Sequence, residues 1–92
     1  MLARRPLNID TALRIYYENV EIGSKEIREL FGITANSAVA RVKNEVLEEM
    51  AKRGQKPYAR YCINTAVAYD VWGIDVNDLE KRRNKLKKLA LD

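Results

Sequence analysis

The chain has 92 residues, 47% hydrophobic and 33% charged, with a formal net charge of +4 and an isoelectric point near 9.3. That length holds one modest core and not two, the composition excludes a chain too polar to fold, and no apolar run approaches the ~20 residues needed to cross a bilayer. With no histidine, one cysteine and four isolated glycines, the chain lacks the parts of His-based zinc sites, Ser-His and Cys-His nucleophile pairs and phosphate loops, so a non-catalytic protein without cofactor or metal is expected.

The N-terminal "MLARRPLNID" carries two arginines with no apolar stretch behind them, unlike a signal peptide. Lone Cys62 suits a reducing compartment, and a cytoplasmic protein with no membrane partner is expected. Asn8 or Asp10 can cap a first helix in which Ala12, Leu13, Ile15, Tyr16, Tyr17 and Val20 form a broad apolar stripe. Ser24 can cap a second, short helix, with Glu26 in its first turn and Ile27, Leu30 and Phe31 at helical spacing. Gly32 stops it. Thr34 is the expected cap of a third, longer helix running to about Arg53, where Gly54 closes it. Its stripe is Val39, Val42, Val46 and Met50, with Ala38 beside them and Ser37, Arg41, Asn44 and Glu48 opposite.

The segment "QKPYARYCIN" follows, and Tyr58, Tyr61 and Ile63 favour extended backbone there, which allows a short β-hairpin or wing. Tyr61 and Ile63 are assigned to the core, and Cys62 is read as a small buried hydrophobe. Asn64 or Thr65 caps a short helix through Trp72, ended by Gly73, with Tyr69 and Trp72 as core aromatics. Asp75 or Asn77 starts the last helix, "VNDLEKRRNKLKKLAL", whose Val76, Leu79, Leu86 and Leu89 make a narrow apolar seam on a basic back. The fold class is therefore mainly α: a helix-turn-helix bundle, optionally winged by a short β-hairpin, with a C-terminal basic helix. One domain covers 1–92, with its core over about 9–75 and the last helix over about 76–91. The positive charge gathers around the central turn and in the tail, where Lys81, Arg82, Arg83, Lys85, Lys87 and Lys88 face only Asp78, Glu80 and Asp92.

Two amphipathic helices joined through a glycine turn, the second exposing small polar residues early, form the pattern of a DNA-reading pair. The second helix can enter a major groove by its N-terminal end only if the side chains there are short, and "TANSA" supplies them. An ordinary helix corner that touches no nucleic acid fits the same pattern. The DNA reading makes Thr34, Asn36, Ser37, Ala40, Arg41, Lys43 and Asn44 the contact residues of the third helix and its turn. Lys56, Tyr58 and Arg60 alternate across Pro57 and Ala59 and could emerge together as phosphate contacts from a wing, or form a solvated loop. Glu45, Glu48 and Glu49 would repel phosphates, which confines base reading to the N-terminal half of that helix.

The run "SKEIRELFGITANSAVARVK" resembles the helix-turn-helix of bacterial regulators, with Ile27, Leu30, Phe31 and Gly32 in the bracing-helix core and turn positions. "NSAVARVKNEVLEEMAKRG" followed by "QKPYARYCINT" resembles small excisionase-like proteins of Gram-positive phages and integrative elements, over roughly residues 20–75. The resemblance implies a double-stranded DNA partner and a role as regulator or recombination factor. Arg28 departs from it, standing where a small residue is usual. Arg41 falls on an aliphatic position unless the turn has one extra residue. A buried unpaired arginine is costly, so the longer turn is the better reading and leaves Arg41 exposed. Two rivals use the same residues: a protein-interaction module, and the DNA-recognition part of a phage packaging subunit. The tail can pack on the domain, support self-association on DNA, or lie on a membrane surface, though it has no aromatic anchor for the last.

Overall fold

The computed structural model describes residues 4–91. Residues 1–3 and Asp92, which the single-domain reading includes, lie outside the described residues. The elements run α1 (Ile9–Glu18), β1 (Glu21–Ile22), α2 (Ser24–Phe31), α3 (Asn36–Lys52), β2 (Ile63–Asn64), α4 (Thr65–Trp72) and α5 (Val76–Leu91). The chain is thus mainly helical with one small antiparallel sheet, in which Glu21 faces Asn64 and Ile22 faces Ile63. No helix among the described residues is long and apolar enough to cross a membrane.

Local chemistry sets most of these boundaries. The Asn8 side chain accepts from the Thr11 amide at 3.1 Å and starts α1. The Asn64 side chain accepts from the Val67 amide at 2.9 Å and starts α4. The Asp75 carboxylate accepts from the Asn77 amide at 2.9 Å just before α5. Gly32, at φ 67°, ends α2. A Cβ there would stand 2.5 Å from the Cδ1 atom of the exposed Leu7 side chain, which has room to shift, so the left-handed conformation is what requires glycine.

Two caps differ from expectation. Gly23, not Ser24, occupies the N-cap of α2, and its amide donates to the Glu26 carboxylate at 3.2 Å. Thr34 does not cap α3. It lies exposed in the turn 32–35, and Ala35, which has no side-chain acceptor, occupies the N-cap position. The later start is the longer turn in physical form: Val39 and Val42 are buried and Arg41 is exposed.

The core collects the buried stripes of every helix around α4, which is buried at Thr65, Val67, Ala68, Tyr69, Val71 and Trp72. Trp72 meets Phe31 edge-on at 5.0 Å between ring centroids, and Tyr69 meets Tyr16 at 5.0 Å. Aromatic pairs at such separations contribute beyond their buried area. The expected α1 stripe is narrower than read, because Tyr17 and Val20 are exposed. The Tyr17 hydroxyl instead donates to the Glu80 carboxylate, tying α1 to α5.

The segment 55–62 is a loop and not a hairpin, since the partner of Ile63–Asn64 is the strand before α2. Ile63 is buried as expected, whereas Tyr61 is 73% exposed and Cys62 is only half-buried. Tyr61 adopts φ 68°, a left-handed conformation that turns its side chain away from the strand direction and out of the core. In α5, Val76 and Leu79 pack against the core, but Leu86 and Leu89 are 58% and 72% exposed. The seam therefore packs on the domain only over its first half, and Arg83 beside it is half-buried.

Tyr69 provides a test of this core. Its buried hydroxyl donates to the Ala12 carbonyl at 2.6 Å. Burial, with a smaller contribution from Tyr16, raises its pKa well above the ordinary value of 10.0. A group whose folded-state pKa is raised stabilises the fold fully below its unfolded pKa and loses that contribution as pH climbs beyond it. Tyr69→Phe should therefore cost about 1 kcal/mol at pH 8 and flatten the decline in stability between pH 10 and 12. Denaturant titrations of both proteins across that range check it; parallel declines would show that Tyr69 does not drive the alkaline loss.

Candidate nucleic-acid interface

The rotation of α3 divides its surface into a buried stripe, an outer face and two flanks. Residues 36, 37, 40, 41 and 44 are exposed along the first half of the helix, all short apart from Arg41. No side chain caps its first turn, so backbone amides at that end have no side-chain acceptor among the described residues. Arg41 and Lys43 make no ion pair among the described residues.

The carboxylates of α3 are placed more favourably for an anionic ligand than the sequence suggested. Glu45 pairs with Arg4 at 3.1 Å, and Glu49 pairs with Arg53 at 3.1 Å, both on the flank away from the groove described below. Arg53 also pairs with Asp70 of α4. Hydrogen bonds to Asp70 and then Glu49 raise its pKa, so it holds its charge firmly. Only Glu48 remains exposed on the outer face without an ion pair among the described residues. The expected repulsion from three carboxylates thus reduces to one.

On the opposite flank a groove of about 350 Å³ runs between α2, α3 and the loop. Asn36, Ala40, Lys43 and Asn44 line it from α3, Arg28 from α2 and Tyr61 from the loop. Arg28 donates to the Asn36 side-chain oxygen, joining α2 to the first residue of α3. Arg60 lies over the Tyr61 ring, 5.2 Å from its centroid, at a separation typical of cation–π contact. The loop is held by Glu21 of β1, whose two carboxylate oxygens accept from the Tyr58 amide at 2.6 Å and the Ala59 amide at 2.9 Å. The Cys62 amide closes its tip by donating to the Ala59 carbonyl at 3.2 Å.

Of the residues singled out by sequence, the groove unites Asn36, Ala40, Lys43 and Asn44, with Arg60 joined to it through Tyr61. Ser37 and Arg41 stand on the adjoining outer face, and Thr34 lies in the turn before it. Lys56 and Tyr58 are exposed on the loop but do not line the groove. Sequence reasoning missed Tyr61, assigned to the core, and Glu21, which carries no motif. Arg28 was visible only as a departure from the helix-turn-helix pattern. No group of His, Cys, Asp or Glu among the described residues could hold a metal ion. No family model, curated protein or solved structure matches the chain.

Glu21 should act as the positioning residue of this loop. Glu21→Ala removes both acceptors, and the Tyr58 and Ala59 amides should exchange with deuterium roughly tenfold faster, as expected for losing a charge-assisted bond. Amide exchange followed residue by residue measures this, with the α4 amides as an internal reference. Unchanged protection at Tyr58 and Ala59 would mean that the loop is held by other contacts.

Proposed function

We propose that the chain is a non-catalytic protein that binds double-stranded DNA, placing the N-terminal half of α3 in the major groove. The observation that carries this reading is the charge division across α3. Short polar side chains and Arg41 are exposed and half-buried Lys43 lines the groove, while Glu45 and Glu49 are tied to arginines on the far flank. A helix can approach base edges only where its side chains are short, and phosphates favour cations and uncapped helix N-termini nearby. The loop adds Lys56 and Arg60 as exposed cations beside that helix.

The resemblance to excisionase-like proteins supports a role as regulator or recombination factor of a phage or mobile element, working in the cytoplasm. A protein-interaction role is the second reading, and the exposure of Leu86 and Leu89 beyond the core is the observation that favours it. Both leucines can also serve self-association on DNA, where phosphates neutralise the cations of α5.

Binding to randomised duplexes, followed by fluorescence anisotropy across a salt series, tests the proposal. Arg41→Ala or Asn36→Ala should weaken binding to a selected site by roughly 1–3 kcal/mol and relax base preference. Lys56→Ala and Arg60→Ala should weaken binding to all duplexes alike and reduce the salt slope by about one phosphate each. Undiminished binding by the α3 variants would remove α3 as the reader, and no binding by the native protein would favour the protein-interaction role.

The tail carries a separate expectation. The free protein should sediment as a monomer, because six like charges oppose pairing of two α5 helices in dilute solution. Duplexes with two adjacent sites should be filled cooperatively, and Leu86→Asp should abolish the cooperativity without changing single-site affinity. A tight dimer in the absence of DNA would contradict the charge argument.

A further inference from the structure

The contact between Arg28 and Asn36 fixes more than the spacing of two helices. A guanidinium has N–H groups and no acceptor. The atom of the Asn36 amide that faces it must therefore be the oxygen, since the flipped amide would set donor against donor. Amide orientation, ordinarily an assignment, is here dictated by the chemistry of the partner. The Asn36 nitrogen is left with two N–H groups that have no partner among the described residues, on an exposed residue at the start of α3.

Base edges in the major groove differ in what they ask of such a group. Adenine presents an acceptor, N7, beside a donor, the N6 amine, and an asparagine reads it by giving one hydrogen bond and receiving another. Guanine presents two acceptors, N7 and O6. Arg28 engages one lone pair of the Asn36 oxygen and sets a cation beside the other, whose positive potential opposes an incoming amine, while both Asn36 N–H groups stay free to donate. Resting on the DNA-binding reading above, we infer that Arg28 is a specificity-determining residue: it orients Asn36 so that the pair selects guanine and rejects adenine at the base pair met by the start of α3. An arginine in place of a small bracing-helix residue then has a chemical role.

Selection from randomised duplexes by the native protein and three variants tests this. Asn36→Ala locates the base pair, as the position whose preference flattens. There the native protein should favour guanine over adenine by roughly tenfold or more, the discrimination expected of a paired contact. Arg28→Met keeps the length of the side chain and frees the Asn36 oxygen, and should lower the guanine-to-adenine ratio at least tenfold at that position alone. Asn36→Asp keeps an oxygen toward Arg28 but has no donor, and should lose the guanine preference while melting within a few degrees of the native protein. If Arg28→Met fails to fold, Arg28→Ala, which also removes the guanidinium and is a good helix former, takes its place. Native preference for adenine at that position, a ratio unmoved by either folded variant, or no position flattened by Asn36→Ala would overturn the inference while leaving DNA binding intact. Absence of duplex binding by the native protein would overturn both.

Discussion

Burial of Val39, Val42, Val46 and Met50 fixes the rotation of α3 about its own axis, and every property of its exposed surface follows from that rotation. The stripe is held by α4 and by β2, against which α3 packs. The chain enters the turn before it at Gly32, whose left-handed conformation ends α2. The strap before α1 is itself anchored, with the Leu7 amide donating to the Leu30 carbonyl at 2.8 Å and the Arg4 amide to the Trp72 carbonyl at 2.8 Å. Rotating α3 by one position would bury Arg41 without a partner, at a cost no small domain could absorb. The buried stripe thus decides which face is apolar, which is exposed and which carries the paired glutamates.

The sheet has a different role from that of an ordinary sheet. Two residues on each side are too few to be stable alone. What the pairing does is join the segment before α2 to the segment before α4, with Ile22 and Ile63 both buried beneath it. Because Glu21 begins β1, its carboxylate arrives at the loop amides from a strand that the core has already fixed. Tyr61, in the left-handed region, carries a conformational cost of about 1–3 kcal/mol that the closed turn and the following strand must offset. The result is an exposed aromatic side chain and a stacked arginine on a loop with few degrees of freedom.

Helices bounded by strong local signals were legible in the sequence. Asn8, Asn64 and Asp75 are short polar residues directly before apolar periodicity, and Gly32, Gly54 and Gly73 each adopt the positive φ expected at a helix end. The α3 stripe was legible because four residues at helical spacing admit one rotation. What failed depended on contacts between distant segments. Tyr61 has the composition of a strand residue, but its conformation is set by the turn around Ala59 and by Glu21, some forty positions away. Glu45 looked like part of a repulsive cluster because Arg4, which pairs with it, lies 41 positions away, whereas the i,i+4 spacing of Glu49 and Arg53 was there to be read. Tyr17 and Val20 fit the α1 stripe, yet α1 ends at Glu18 and its packed face is narrower than its apolar content. The Arg28–Asn36 contact spans the turn, so its geometry depended on the length of that turn.

α5 combines both kinds of determination in one helix. Its first half is a tertiary element, with Val76 and Leu79 in the core and Glu80 bonded to Tyr17. Beyond Arg83 the apolar side chains lose their cover, and isolated helical segments of this length are marginal in water. Local terms favour continuation nonetheless. The residues are mostly lysine, leucine and alanine, all good helix formers, and the arrangement of Asp78 ahead of Arg82 supports the earlier turn at 3.0 Å. Cations at a helix C-terminus also oppose the dipole field favourably, so charge that repels a second helix stabilises this one. The packed half acts as a nucleus, which removes the costly first step of helix formation for the remainder. Leu86 and Leu89 are therefore presented at defined spacing on a helix that continues beyond its packed half, in a fold 46 Å long and 23 Å across its narrowest axis, with lysines on the same turns.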